Sequence, residues 1–221
     1  MQTQTSSFTF AGHTLFRIGF DATTLQPADL LWLPHHAQLA RFAPRRQAEH
    51  LAGRMAAVMA LRHAGCRAQA PAIGSHREPL WPEGFTGSIT HIAGVALAVA
   101  IKRDLPSQGV GIDTENVLDE AGAAEIAAGA IDETERRLLG RSPLPFPLAV
   151  TLAFCAKESL FKALFPKVGE WFGFDCAAVS AVTEDSLQLR LTRPLGPYAA
   201  DASFSACWRR EQNALITLVR L

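Results

Sequence analysis

The spacing of apolar residues predicts one long helix in the amino-terminal half, surrounded by less regular segments. Residues 1–40 are irregular apart from a candidate strand near residues 14–18, and His35 and His36 are assigned to a surface loop. Pro44 then begins a predicted helix that runs to about His63, because proline is favoured in a first helical turn. Glycine and proline residues from 65 to 87 predict a loop after this helix.

Two apolar runs near the middle of the chain predict neighbouring strands. The first covers residues 95–101, and the second covers residues 109–115 with Val110 and Ile112 at alternate positions. Residues 102–107 contain lysine, aspartate, proline and serine, which are typical of a turn. The two strands are therefore predicted to pair as a hairpin.

Helical and then alternating patterns follow in the carboxy-terminal half. Three helices are predicted, at residues 119–130, 132–139 and 148–165, with Pro166 ending the third. Leucine and aromatic residues then alternate with polar ones, which predicts strands at 187–191, 204–208 and 214–219. Each half thus carries a helix followed by strands, so the chain is predicted to be α+β with a division near residue 105, giving halves 1–105 and 106–221.

Composition and charge narrow the class of protein. The 221 residues are 48% hydrophobic and 19% charged, which is typical of a soluble globular chain. Lysine plus arginine equals aspartate plus glutamate at 21 each, so there is no overall basic field and no nucleic-acid partner is predicted. The longest apolar run, residues 92–101, is too short for a bilayer span of about 20 residues. Four widely spaced cysteines predict free thiols in the cytoplasm.

Asp113 and Glu115 are the first candidate chemical groups. They are two residues apart on the predicted strand, so both side chains emerge on one face. Two close carboxylates repel each other unless a cation or a shared proton lies between them, and Mg²⁺ prefers such oxygen ligands. The structural alternative is a solvated strand end.

Glu158 is the second candidate group. On the predicted helix it shares a face with Phe154, Phe161 and Lys162, while the opposite side is also apolar. A helix of this kind lies in an interior, where a carboxylate needs a cationic or hydrogen-bonding partner. Lys162, four residues later, is the minimal partner; a metal ion shared with Asp113 and Glu115 is the other.

Basic residues in the amino-terminal half suggest phosphate binding. Arg46, His50 and Arg54 recur every four residues along one helical stripe, and Arg77 lies on a proline-stiffened loop. Thr90 and His91 precede the first apolar strand. The alternative for the helical stripe is a solvated helix face, and the alternative for Arg77 is a purely structural loop. For His91 the alternative is a hydrogen bond that only stabilises the structure.

Several motifs together resemble the 4′-phosphopantetheinyl transferase family, in particular its enterobactin-synthase-type branch. The pair Gly111-Ile112-Asp113-Thr114-Glu115 and Phe154-x-x-Lys157-Glu158-Ser159-x-x-Lys162 resembles the signature of that family. Further similarity lies in Ala48 to Arg54, in Arg77-x-Pro79-x-Trp81-Pro82 and in Gly87 to His91. Phe154 replaces a tryptophan found in many relatives, and Thr90 replaces a serine.

The resemblance implies a single chain of two similar α/β subdomains related by a pseudo-two-fold axis. It also implies transfer of the phosphopantetheine arm of coenzyme A to a serine of an apo carrier protein, which releases adenosine 3′,5′-bisphosphate. The expected partners are acyl or peptidyl carrier proteins of nonribosomal peptide, polyketide or siderophore biosynthesis. The protein is expected to be a monomer.

The resemblance also implies roles for individual residues. Asp113, Glu115 and Glu158 would hold Mg²⁺, with Mn²⁺ as a substitute, in the carboxy-terminal half. Lys162 would act with Asp113 and Glu158 in catalysis, and either Glu158 or a metal-activated water would take the serine proton. The coenzyme A ligands would be drawn mainly from the amino-terminal half: Arg46, Arg54, Arg77, Thr90, His91, Lys157 and Lys162.

Two other functions fit parts of the same pattern. A Mg²⁺-dependent nuclease also uses clustered acids with lysine, although the balanced net charge argues against it. A non-catalytic module that binds coenzyme A or a carrier protein would use Lys157, Glu158 and Lys162 for salt bridges alone.

Overall fold

Antiparallel strand pairing organises both halves of the chain. The computed structural model describes residues 1–67 and 69–221, which form two units, Met1–Gln108 and Gly109–Leu221. This division lies close to the predicted one near residue 105. Helices and antiparallel sheets occur in both units, which confirms the predicted α+β class.

The amino-terminal unit is a four-stranded sheet with one long helix packed on it. Its elements are β1 (Gln2–Phe10), β2 (His13–Asp21), α1 (Pro44–His63), β3 (Ala72–Ile73), β4 (Pro79–Leu80), β5 (Phe85–Ile92) and β6 (Val95–Lys102). The sheet order is β1-β2-β6-β5, and β3 and β4 form a separate short hairpin. Short 3-10 helices at Ala22–Thr24, Pro27–Trp32 and His36–Leu39 connect β2 to α1.

Small side chains explain how closely α1 lies against the sheet. The helix begins at Pro44 as predicted, and its buried face is rich in alanine: Ala48, Ala52, Ala56, Ala57 and Ala60. A Cβ atom added at Gly53 would lie 2.9 Å from Cγ2 of Ile89 on β5, so only a glycine fits without a shift. This close packing fixes α1 over the strand that carries Thr90 and His91.

The carboxy-terminal unit places its helices on a five-stranded sheet. Its elements are β7 (Val110–Asn116), α2 (Glu120–Ala130), α3 (Glu133–Gly140), α4 (Phe146–Val168), β8 (Ala177–Val182), β9 (Ser186–Leu191), β10 (Ser203–Glu211) and β11 (Ala214–Arg220). The sheet order is β7-β11-β10-β9-β8. The core forms where leucines of α4 and α3 meet the inward-facing leucines of β9 and β11.

The amino-terminal hairpin corrects the prediction that residues 1–40 are irregular. β1 pairs with β2 from Gln2 opposite Asp21 to Phe10 opposite His13. The connecting residues Ala11 and Gly12 have φ values of 47° and 77°, as a two-residue hairpin turn requires. β1 was missed because it is polar and mostly exposed, so its sequence has no alternation of apolar and polar residues.

The predicted hairpin between residues 95–101 and 109–115 is wrong. Both edges of β6 are already paired, with β2 on one side and β5 on the other. β7 instead pairs with β11, far away in sequence. A local turn pattern indicates that the chain reverses direction. The strand with which the next segment pairs depends on which sheet edges are still unpaired in the folded protein.

Two smaller predictions also require correction. Pro166 does not end α4, which continues to Val168 and is capped by Gly169 at φ 74°. A proline in a last turn removes only one helical hydrogen bond, and two more residues follow it. His35 is buried rather than on a surface loop, and its Nε2 atom lies 2.9 Å from Nε2 of His50.

None of the helices in the described residues has the length and apolar character to cross a membrane.

Candidate active site

A glycine allows the strand with the two acids to lie directly against α4. A Cβ atom added at Gly111 would lie 1.9 Å from the carbonyl oxygen of Ser159, so any larger residue would separate β7 from the helix. Gly111, Asp113 and Glu115 share one face of β7 because strand side chains alternate. The face with both carboxylates is therefore the face that α4 covers.

Asp113 and Lys162 form the centre of this site. Lys162 Nζ donates to Asp113 Oδ1 at 2.6 Å, with the aspartate side chain 5% exposed and the lysine side chain 26% exposed. Burial alone would lower the pKa of Lys162, but the charge and hydrogen bond of Asp113, together with the charge of Glu158, raise it above its usual value. Lys162 is therefore a fixed positive charge at neutral pH.

Glu115 and Glu158 lie within electrostatic reach of this pair. Burial, followed by the charges of Asp113 and Glu158, raises the pKa of Glu115 to about 7, against the opposing effect of Lys162. Burial and the charge of Asp113 likewise raise the pKa of Glu158, and Lys162 again opposes them. The three predicted metal-binding acids and Lys162 are thus brought into one cluster, in which the carboxylates repel one another.

This cluster fits a divalent cation by its chemistry, but its side chains are not arranged around one. Within the described residues, no three His, Cys, Asp or Glu side chains are placed closely enough to hold a metal ion. The ammonium of Lys162 lies against Asp113 instead. The pKa values of Glu115 and Glu158 are nevertheless raised, first by burial and then by neighbouring carboxylates, and carboxylate oxygens are the ligands that Mg²⁺ prefers.

An aromatic cavity of about 230 Å³ lies beside Glu158. Phe161 stacks on Trp171 and contacts Phe172, each with ring centroids 4.9 Å apart, and Phe174 also lines the cavity. These rings lie along one side of Glu158, and burial is the main cause of its raised pKa, although Trp171 itself is 66% exposed. The segment Trp171–Phe174 was not among the predicted site residues, because it has no periodic pattern.

Lys157, predicted to bind coenzyme A, lies apart from the acid cluster. Its Nζ atom contacts Glu135 Oε1 at 2.8 Å, and it also donates to the carbonyl oxygens of Ala130 and Phe174 at 2.7 and 3.2 Å. Lysine and glutamate side chains here are only 3% and 4% exposed. These contacts account for the charge of Lys157 inside the protein, and its role in coenzyme A binding stays a prediction.

Arg46 and His91 meet in the amino-terminal unit. Nη1 of Arg46 lies 2.8 Å from Nε2 of His91, and the buried carboxylate of Glu49 lies 3.3 Å from the same Arg46 nitrogen. Glu49 also accepts from Arg45 at 3.1 Å. Two predicted phosphate ligands on different elements are therefore brought together, and sequence spacing did not reveal Glu49 as the residue beside them.

Arg54, Thr90 and Arg77 lie in three different environments. Arg54 is buried and donates to the carbonyl oxygens of Pro71 at 2.7 Å and Ala72 at 3.3 Å, and burial lowers its pKa to about 10. Thr90 is buried on the face of β5 opposite to His91, because neighbouring strand residues alternate. Arg77 is exposed in the β3–β4 turn with φ 68°. Their predicted contacts with coenzyme A remain predictions.

Comparison with known proteins places both units in one family. Residues 35–101 match the family model for the 4'-phosphopantetheinyl transferase N-terminal domain, and residues 109–219 match the model for the 4'-phosphopantetheinyl transferase superfamily. The second match alone covers half of the chain. The structure defines the class of this protein: an α+β chain in which a cluster of acids and a lysine lies between a strand and a helix. The chain belongs to the 4′-phosphopantetheinyl transferase superfamily, which confirms the resemblance and the prediction of a transferase enzyme.

Curated relatives agree with this assignment over most of the chain. Enterobactin synthase component D of Salmonella typhi is 46% identical over 210 residues, covering 95% of this chain and 87% of that protein. Its counterpart from Escherichia coli (strain K12) is 47% identical over 163 residues, covering 74% and 76%. The 4'-phosphopantetheinyl transferase PptT of Mycobacterium tuberculosis is 36% identical over 166 residues, covering 72% and 70%.

Proposed function

We propose that this protein transfers the 4′-phosphopantetheine group of coenzyme A to a serine of an apo carrier protein in a Mg²⁺-dependent reaction. Adenosine 3′,5′-bisphosphate is the second product. The observation that carries this proposal is the cluster of Asp113, Glu115 and Glu158 around Lys162. Family membership supports phosphopantetheine transfer, and the cluster supplies the charges that an attack on a pyrophosphate requires.

The carboxy-terminal unit supplies the reacting groups. Asp113, Glu115 and Glu158 would hold Mg²⁺, which neutralises and orients the pyrophosphate oxygens when bound; Mn²⁺ accepts the same ligands. Lys162, whose pKa is raised, stabilises negative charge that develops on the pyrophosphate. Glu158 would take the serine proton, or the metal ion, if bound, would supply an activated water for that step.

The amino-terminal unit supplies ligands for the nucleotide part of coenzyme A. Arg46 and His91, already 2.8 Å apart, are assigned to phosphate, with Thr90 on the same strand as His91. Arg77 is exposed in a turn and is assigned to the same end of the molecule. Arg54 fixes the chain before that turn through the carbonyl groups of Pro71 and Ala72, so its contribution to binding includes holding the loop.

The relatives' names suggest the partners. Three curated relatives from Salmonella are called enterobactin synthase component D, so the proposed acceptors are peptidyl, aryl or acyl carrier proteins of siderophore and related nonribosomal peptide or polyketide synthases. We propose that the protein acts as a monomer in the cytoplasm, with two similar halves. No nucleic acid or membrane takes part in this reaction.

Incubation with coenzyme A, Mg²⁺ and a panel of apo-carriers, read by intact-protein mass spectrometry, tests the proposal. We expect one phosphopantetheine added per carrier, none on a carrier whose acceptor serine is replaced by alanine, and none in EDTA. Restored transfer after Mg²⁺ is added back supports the metal requirement. No modification of any carrier, or modification that is indifferent to EDTA, contradicts the proposal.

A further inference from the structure

We propose that Glu135 and Lys157 are positioning residues, whose buried ion pair fixes the segment Trp171–Phe174 beside Glu158. Lys157 is adjacent to Glu158 in sequence but points to a different part of the unit. The inference rests on the proposed function only for its effect on transfer. Its structural part concerns the cavity wall alone.

The contacts of Lys157 use all of its hydrogen-bonding capacity. A lysine ammonium has three N–H donors and no acceptor. Nζ of Lys157 has acceptors on three residues: Glu135 Oε1 and Oε2 at 2.8 and 3.0 Å, the Ala130 carbonyl at 2.7 Å and the Phe174 carbonyl at 3.2 Å. To contact a phosphate, the ammonium would have to leave these partners and strand a buried carboxylate. Lys157 is therefore assigned to the protein interior and not to the substrate.

Glu135 extends the same network to other elements. Its Oε1 atom accepts from the backbone N–H of Val179 on β8 at 2.7 Å, and its Oε2 atom accepts from the N–H of Asp132 before α3 at 2.9 Å. Through Lys157 it also reaches the end of α2 and the 3-10 turn that begins at Phe174. A buried ion pair of this kind adds little stability over an apolar pair, but it specifies one arrangement of the groups around it.

The arrangement that it specifies includes the wall of the aromatic cavity. The Phe174 carbonyl is held by Lys157, and the Phe174 ring lies 5.3 Å from that of Phe154 on α4. Trp171 precedes this anchored residue and stacks on Phe161, one helical turn beyond Glu158. Release of the Phe174 carbonyl should therefore displace Trp171 from Phe161 and change the wall of the cavity beside Glu158.

A double-mutant cycle separates positioning from direct substrate binding. The variants are Lys157→Met, Glu135→Gln and the double substitution, and Glu133→Gln is the matched control on α3, where an exposed glutamate lies 3.6 Å from Arg136. Thermal melting, transfer kinetics and Trp171 fluorescence are measured for each. The Trp171 signal is the difference between each protein and the same protein carrying Trp171→Phe.

We expect each single substitution to lower the melting temperature, and the double substitution to recover most of that loss because no buried charge is left unpaired. Because Trp171 is already 66% exposed and keeps one face stacked on Phe161, its emission intensity should change in Lys157→Met and stay changed in the double variant. Transfer by the double variant should fall about tenfold in kcat/KM despite its recovered stability. Glu133→Gln should match wild type in every measurement.

Two results would overturn the proposal. If Lys157→Met reduces kcat/KM by the same factor with and without Glu135→Gln while Trp171 emission is unchanged, Lys157 contacts the substrate. If the double variant has wild-type emission and activity, the pair serves stability alone. Because melting and fluorescence need no transfer reaction, they decide the positioning role even if the proposed transferase activity is absent.

Discussion

The charged residues of the two long helices, α1 and α4, lie in different electrostatic environments. On α1, Glu49 accepts hydrogen bonds from Arg45 and Arg46, and Arg54 donates to two backbone carbonyl groups. On α4, burial and the charge of Asp113 raise the pKa of Glu158 against the opposing charge of Lys162, and the pKa of Glu115 is raised as well. These charges of α1 are paired within the amino-terminal unit, whereas the acid cluster beside α4 has three carboxylates for the ammonium of Lys162.

This difference supports the proposed location of the chemistry. A charge that is matched inside the protein is held in place by its partner, whereas repelling carboxylates gain stability when a cation arrives. The comparison also applies within α4. Lys157 is matched by Glu135 in the interior, and Lys162, five residues later, is partly exposed among three acids.

The largest expected effect comes from removing the acid at the centre of the unbalanced cluster. Asp113→Ala should reduce transfer by at least about 1,000-fold, because it removes both the partner of Lys162 and a predicted metal ligand. Mass gain of a carrier protein measures the loss, and thermal melting should still show a cooperative transition. Asp104→Ala, on an exposed loop, is the control. Wild-type rates for Asp113→Ala would remove the metal assignment.

For Glu158→Gln we expect a smaller loss of activity than for Asp113→Ala, together with a gain in stability. Transfer should fall about 100-fold, because a neutral amide is a poor metal ligand and no base. The raised pKa of Glu158 shows that its ionised form is disfavoured in the folded chain, so the isosteric amide should melt at a higher temperature in EDTA. A lower melting temperature would mean that Glu158 is a stabilising, matched charge like Glu49.

The buried, uncharged imidazole of His50 in the amino-terminal unit predicts an effect of pH on the free energy of unfolding. Burial, followed by the charges of Arg54 and His35, lowers the pKa of His50 to about 3, below its ordinary value near 6.5. The unfolded chain therefore binds more protons between these values, and stability is complete above about pH 6.5 and declines as the pH falls. From pH 7 to pH 5 the loss should be about 2 kcal/mol.

Urea unfolding at the two pH values measures this loss. His50→Gln should make the stability less dependent on pH in this range, whereas His76→Gln, at an exposed turn, should leave the dependence as in wild type. Equal pH dependence in wild type and His50→Gln would show that the His35–His50 contact is not a neutral buried pair.

The smallest expected effect concerns Arg77. Arg77→Ala should raise KM for coenzyme A about tenfold with little change in kcat, because the lost contact contributes equally to substrate and transition state. Arg77→Gly should have the same KM and be somewhat more stable, since φ is 68° at this position. An unchanged KM in both variants would assign Arg77 to the turn alone.

The helices and the family's sequence motifs could be predicted because their signals are local, and metal binding by the acids of those motifs stays a prediction. α1, α2 and α3 begin near the predicted residues, where Pro44, Asp119 and Asp132 supply the first-turn or capping chemistry. The fold class and family followed from short motifs that match in combination. β1, β5 and β8 were missed because none of them has the regular alternation of apolar and polar residues that identifies a half-buried strand.

The contacts of individual charges could not be predicted in the same way. The capping-box spacing of Asp132 and Glu135 is visible in the sequence, yet the pairing of Glu135 with Lys157 across 22 residues is not. Likewise, Lys157 and Lys162 belong to the same motif on one helix, yet their side chains contact different partners. A spacing pattern gives the face of a helix, but it does not say what that face meets.

By itself, the sequence determined the class, the long helices and which acids and bases are candidates for the chemistry, because these depend on residue types a few positions apart. Only the tertiary structure decided that Lys162 reaches Asp113 across 49 residues, that Lys157 is enclosed by Glu135, and that Arg54 holds backbone carbonyl groups. Electrostatic interactions depend on distance and burial, and both are set only when strands and helices from distant parts of the chain pack together.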